Sequence, residues 1–156
     1  MKISLAAALL AATAGSALAN CEEARVDLRG DWGTARFSVE LADAPEERSI
    51  GLMNRASMAK SAGMLFLYET SQPVAFWMEN TLIPLDMIFM SADGVVQRIH
   101  ENAVPLDRTL IPGGENILAV LEINGGMSAL LGITVGSELR HPLLDQNIAA
   151  WPCADE

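Results

Sequence analysis

Met87-Ile88-Phe89-Met90-Ser91-Ala92-Asp93-Gly94-Val95-Val96-Gln97-Arg98-Ile99-His100 is the stretch on which the fold class turns. Two short runs of apolar, β-prone residues flank Asp93-Gly94, a pair that supplies the positive φ angles a tight hairpin turn requires. The segment therefore predicts a β-hairpin. Reading outward, the same signature recurs. Upstream, Met64 to Tyr68 and Val74 to Met78 are apolar runs of strand length, and Ala35, Phe37, Val39 and Leu41 alternate with polar neighbours over Thr34 to Leu41. Downstream, Leu118 to Ile123 is a continuous apolar strand interrupted only by Glu122, and Asn124-Gly125-Gly126 breaks it. Ile133 to His141 offers a last strand around a Gly136-Ser137 turn.

Helical signals are few. Asp43 is placed to cap, Pro45 lies in a first turn where its missing N–H costs nothing, and Glu46 occupies the capping-box position. That helix is expected to run to about Met53 with Arg48 and Leu52 on one stripe, although Gly51 weakens it. Residues 54–63 read as loop. Met127 to Leu131 predicts a second short helix, ended by Gly132. Many short strands with one or two short helices predict a mainly β fold, a compact sandwich or a partly closed barrel.

The first 19 residues have the form of a secretory signal. Lys2 provides the charged start, Leu5 to Ala12 a short apolar run, and Ala17-Leu18-Ala19 an A-x-A cleavage site that would leave Asn20 first. Cleavage leaves a single globular domain, 20–156, for which a periplasmic or secreted location is expected. Removing Lys2 leaves nine basic residues against twenty acidic ones, a net charge of −11. Nucleic acids and anionic membranes select basic patches, so neither is an expected partner. After the signal no apolar segment is long enough to span a bilayer. Cys21 and Cys153 stand almost at the two ends of the exported chain, and an even pair in an oxidising compartment predicts a disulfide.

Chemistry-bearing residues are sparse. The segment 76–86 ends a strand in Phe76-Trp77, continues through Asn80 and Thr81, and reaches Asp86 after Pro84. Asn80, Thr81 and Asp86 are polar groups among core residues and must find partners if buried. They can serve the loop's own backbone or line a site. Glu122 is either exposed, paired with Arg48 or Arg55, or held at a raised pKa for acid–base work. The methionines lie mostly in apolar runs where they fill core, and neither His100 nor His141 has a second ligand at metal-binding spacing. No metal or other cofactor is expected.

Glu47 to Arg55 with Gly51-Leu52-Met53, then Gly63-Met64-Leu65-Phe66, then Phe76-Trp77-Met78-Glu79-Asn80-Thr81 with Pro84-Leu85-Asp86, then Val120-Leu121-Glu122 with Gly126, resemble in order and spacing the motifs of the domain-of-unknown-function 192 family. The resemblance spans roughly residues 35–141 and implies a compact, mainly β fold, but no activity. Glu79 stands where that family often has a basic residue, which removes positive charge at that position from the expectation.

Three functions are open on these residues. A small-ligand-binding or accessory module would use Trp77 and Phe76 as an apolar wall, with Arg48, Asn80, Thr81 and Asp86 as convergent polar groups. A hydrolase would use Asp86 and Glu122 as paired carboxylates. In a structural envelope protein the polar motif would only lock the fold.

Overall fold

The computed structural model describes residues 21–153. The leader segment 1–19, its cleavage site and Asn20 lie outside the described residues. Nine elements follow in order: β1 (Arg25–Gly30), β2 (Gly33–Ala42), α1 (Pro45–Ile50), β3 (Ala62–Phe76), β4 (Leu85–Met90), β5 (Val96–Ala103), β6 (Ile111–Asn124), α2 (Met127–Leu131) and β7 (Glu138–Arg140). The strands form one seven-stranded sheet in the order β5-β4-β6-β3-β2-β1-β7. All neighbours are antiparallel except β2 and β3, which are parallel and joined across α1. The fold is mainly β, as expected.

The sheet curls until its two edges meet. Val95, beside the Asp93-Gly94 turn, bridges Glu138 at the start of β7. The Val96 N–H donates to the Ser137 carbonyl at 2.8 Å, and the Leu139 N–H donates to the Gly94 carbonyl at 2.9 Å. The result is a half-barrel closed at one end, which leaves little open edge for unwanted pairing.

Alternation along the strands then builds two cores. One gathers Val26, Leu28, Phe37, Val39, Leu65, Ile88, Leu121, Ile123 and Leu139, drawing on every strand of the curl. The other gathers Leu52, Met64, Phe66, Met78, Met87, Phe89 and Val120 on the opposite face, beneath α1 and the 77–84 loop. Met64, Met78, Met87 and Met90 are all core filler.

Several local expectations move by a residue or more. The N-cap of α1 is Ala44, not Asp43. The capping carboxylate is accordingly Glu47, whose Oε2 accepts from the N–H groups of Asp43 and Ala44 at 3.2 and 3.1 Å. The helix stops at Ile50 rather than near Met53, because Gly51 takes φ +49° as its C-cap. Met64–Tyr68 and Val74–Phe76 are parts of one strand, β3, whose register slips between Leu67 and Ala75 around the polar segment with Pro73. β1, in which Arg25, Asp27 and Arg29 alternate with the core residues Val26 and Leu28, is a strand beyond those expected. Its Asp27 is buried and paired with Arg36 of β2 at 2.6 Å and Arg140 of β7 at 2.9 Å. Burial pushes that carboxyl up, but the two guanidiniums bring it below the usual aspartate range.

Cys21 and Cys153 are joined, with their Cα atoms 5.8 Å apart, across 132 residues of chain. Next to the bridge, Trp151 packs between the guanidiniums of Arg29 and Arg140, 4.6 and 4.4 Å from its ring centre. Closing so long a loop removes on the order of 4–5 kcal/mol of unfolded-state entropy in the chain model. Cys153→Ser is therefore expected to lower unfolding stability by several kcal/mol, read by urea denaturation. A loss below about 1 kcal/mol would show that the terminal clamp contributes little.

Candidate functional site

A cavity of about 180 Å³ opens on the face of the sheet covered by α1. The end of α1 and its exit contribute Arg48 and Leu52, β3 contributes Phe66, Tyr68 and Phe76, the following loop contributes Trp77 and Thr81, and β6 supplies Glu122. The shape follows from local rules. Gly51 must turn the chain out of α1 at positive φ, and a Cβ there would stand 3.1 Å from the Phe66 ring. Phe66 and Phe76 form the inner wall and meet edge to face with ring centres 5.1 Å apart, and Phe76 is backed by Phe89 at 5.8 Å. Trp77 is 46 % exposed and forms the rim.

Glu122 lies on β6 directly opposite Met64 of β3 and Met87 of β4. Cross-strand partners share a face, so its side chain points to the α1 side. It is buried, and neither Arg48 nor Arg55 reaches it. Arg55 instead holds Glu40, one of its contacts being 2.7 Å. Among the described residues no hydrogen bond or ion pair holds the Glu122 carboxyl, which opens on the cavity. Desolvation pushes its pKa up to about 8. At neutral pH it is mostly a carboxylic acid, able to donate one hydrogen bond and accept others.

Arg48 is fixed at the cavity wall. Its Nη1 donates to the Leu67 carbonyl at 2.8 Å and to the Asp43 carbonyl, and its Nη2 lies 3.4 Å from Glu69 Oε1. The guanidinium also lies 4.9 Å from the centre of the Tyr68 ring. Burial raises the Tyr68 pKa, with Arg48 pulling down and Glu122 pushing up.

Asn80 and Thr81 do different work. Asn80 sits at φ +55°, a left-handed conformation asparagine tolerates, and its carbonyl accepts from the Asn54 N–H at 2.8 Å. That bond ties the α1 exit to the 77–84 loop and so holds two cavity walls together. The Thr81 side chain lines the cavity and donates to the Glu79 carbonyl at 3.3 Å. Glu79 itself pairs with Arg108.

Asp86 does not belong to the cavity. It pairs across β4 and β6 with Ile123, one residue from Met87↔Glu122, so it projects to the opposite face of the sheet. There it is fully buried and accepts from the N–H groups of Asn102, Gly126 and Ser128, each at 2.8 Å, and from the Ser128 hydroxyl. It thereby pins the β5 end and the start of α2. The two carboxylates proposed as a hydrolytic pair do not share a cleft.

Sequence reasoning overlooked Tyr68. It alternates with Phe66 and Met64 on β3, so its side of the sheet could be inferred only after the Met64↔Glu122 register was known.

Two outcomes follow for the buried carboxyls. Asp86→Asn would turn one acceptor oxygen into an amide facing donors. It is expected to cost about 3–5 kcal/mol of stability, measured by chemical denaturation. For Glu122 the folded-state pKa of about 8 exceeds the ordinary 4.5. Its contribution to stability is present at low pH and is lost as pH rises toward 8, on the order of 1 kcal/mol per pH unit. Glu122→Gln should match the parent near pH 5 and become the more stable of the two by a few kcal/mol at pH 8. Parallel pH profiles would contradict the assigned burial.

The architecture and motifs recur in known proteins. The family model for DUF192, described as an uncharacterized ACR, matches residues 26–141. No match is found among curated proteins. A crystal structure of a protein of unknown function from Novosphingobium aromaticivorans is similar at 44 % identity and a TM-score of 0.73, covering 74 % of this chain and 83 % of that one. A second, from Sinorhizobium meliloti and named as a candidate transcription regulator, is similar at 43 % identity and a TM-score of 0.74, covering 78 % of this chain and 95 % of that one. With the matched segment running from β1 to the residue after β7, and so containing every element that builds the cavity, the chain belongs to the domain-of-unknown-function 192 family.

Proposed function

We propose that this protein is an extracytoplasmic binding module whose ligand is a small molecule held in the cavity beside Trp77. The observation that carries this reading is the Glu122 carboxyl, buried at the cavity floor with no partner among the described residues. Burial without a protein partner raises its pKa and leaves its hydrogen-bonding capacity open toward the cavity. A carboxyl so placed, beside the rings of Phe66, Phe76 and Trp77, supplies a directed contact for whatever enters. Arg48 and the Thr81 hydroxyl add further polar groups to the wall.

The Cys21–Cys153 bridge supports an oxidising compartment, in keeping with the signal-like residues 1–19. The paired-carboxylate hydrolase gains no support, because Asp86 is saturated on the other face of the sheet. Nor does the acidic chain, at net charge −10, offer the basic surface on which nucleic-acid binding depends.

A fragment screen by two-dimensional NMR tests the reading. Binders are expected to shift the resonances of Trp77, Thr81 and Glu122 together. Trp77→Ala should weaken them roughly tenfold, an effect of the size one aromatic contact supplies, while leaving the melting temperature nearly unchanged. A library that produces no shifts around the cavity would leave the structural role as the better account.

A further inference from the structure

We propose that the cavity selects a small monocarboxylate with an apolar body, its carboxylate turned toward Glu122 and Arg48 and its body against the aromatic wall. This inference rests on the binding-module reading above and adds the chemical class of the ligand.

Charge at the cavity wall is the first argument. Arg48 is the one lining residue with a permanent charge. Its ion-pair partner Glu69 is 71 % exposed, on the solvent side, so its compensation is screened. Among the described residues, its bonds to Asp43, Leu67 and Glu69 occupy three of the five guanidinium N–H groups. Two donors remain for a ligand, and an anion is their natural acceptor.

The floor adds a donor of a different kind. A cationic ligand would require Glu122 to ionise and would also sit near the Arg48 guanidinium, so both terms oppose it. An anion encounters neither cost. The protonated carboxyl can donate to one carboxylate oxygen while the guanidinium donates to the other. A proton shared between two carboxyls is stable where burial disfavours a second negative charge.

The walls and the size settle the remainder of the ligand. Leu52, Phe66, Phe76 and Trp77 present apolar surface. A dry cavity of about 150 Å³ admits benzene, so the 180 Å³ here accommodates one ring with a small substituent. Groups facing Glu122 are few. On β3 they are Met64 and the Tyr68 phenol, whose pKa burial raises, on β4 Met87, from α1 Arg48 with Glu69 beyond it, and from the loop Thr81. Neither the Tyr68 phenol, held above its usual range, nor the Glu69 carboxyl, held below its own, changes charge between pH 5.5 and 9.

Benzoate, benzamide and benzylammonium, titrated into the full exported chain by NMR and calorimetry, test the inference. Benzoate is expected to bind in the cavity at least tenfold more tightly than the other two at pH 6.5. Its affinity should be flat from pH 5.5 to 7 and fall by about tenfold per unit above pH 8. Glu122→Gln, which keeps a donor and cannot titrate, should bind within severalfold of the parent and lose the pH dependence. Benzylammonium binding that strengthens as pH rises, or benzamide binding as tightly as benzoate, would overturn the monocarboxylate while leaving the binding module intact. Failure of all three probes would also overturn it. If the wider fragment library then fails at the cavity too, the binding module falls with it.

Discussion

A strand buried on both faces must sort its side chains into two compartments, and β6 imposes that partition on the protein. It lies between β3 and β4 in the middle of the sheet. Leu121 and Ile123 enter the core inside the curl, whereas Val120 and Glu122 face the layer under α1. Because the period of a strand is two, a slip of one residue would send Glu122 into the apolar interior and expel Leu121 and Ile123. Gly63 helps to pin the register, since a Cβ there would stand 2.5 Å from the Glu122 carbonyl oxygen. The depth of burial on both faces makes the alternative registers expensive, and so the position of the single carboxyl is defined.

Two buried acids illustrate how environment decides role. Asp86 and Glu122 occupy neighbouring registers of the same strand pair. Asp86 receives three backbone N–H groups and a hydroxyl, which occupy its acceptor oxygens. It holds together segments separated by more than forty residues in sequence. Glu122 receives nothing from the described chain, and desolvation keeps its proton on. The first acid stabilises the fold and has no capacity left for a ligand. The second destabilises the fold as pH rises and retains its full hydrogen-bonding capacity.

Around them, the cavity depends on backbone ties more than on side-chain contacts. Asn54 and Asn80 both adopt left-handed φ and are joined by a hydrogen bond, which fixes the helix exit against the 77–84 loop. The half-barrel has its own closure at the Val95–Glu138 bridge and the terminal disulfide, remote in sequence from the cavity walls. Stability and recognition thus draw on different parts of the chain.

Local chemistry made much of this legible from sequence alone. The Asp93-Gly94 turn, the alternation over Thr34 to Leu41, the short helix from Met127 to Leu131 and the mainly β class all follow from residue periods and turn residues, which act over a few positions. The oddity of a carboxyl within Leu118 to Ile123 was equally visible. Other features depend on pairing between distant segments. β1 has the strand period in its own residues, Arg25, Asp27 and Arg29 alternating with Val26 and Leu28, but the Asp27 pairs with Arg36 and Arg140 exist only across paired strands. Arg48, Trp77, Thr81 and Glu122 come to one cavity while Asp86 leaves it, because cross-strand register assigns each side chain to a face. No composition or spacing within a single segment encodes that register. The sequence by itself determined most of the strands, the turns and which polar residues were unusual. Only the tertiary structure decided which of those residues share a compartment, since a face exists only when strands from across the chain have paired.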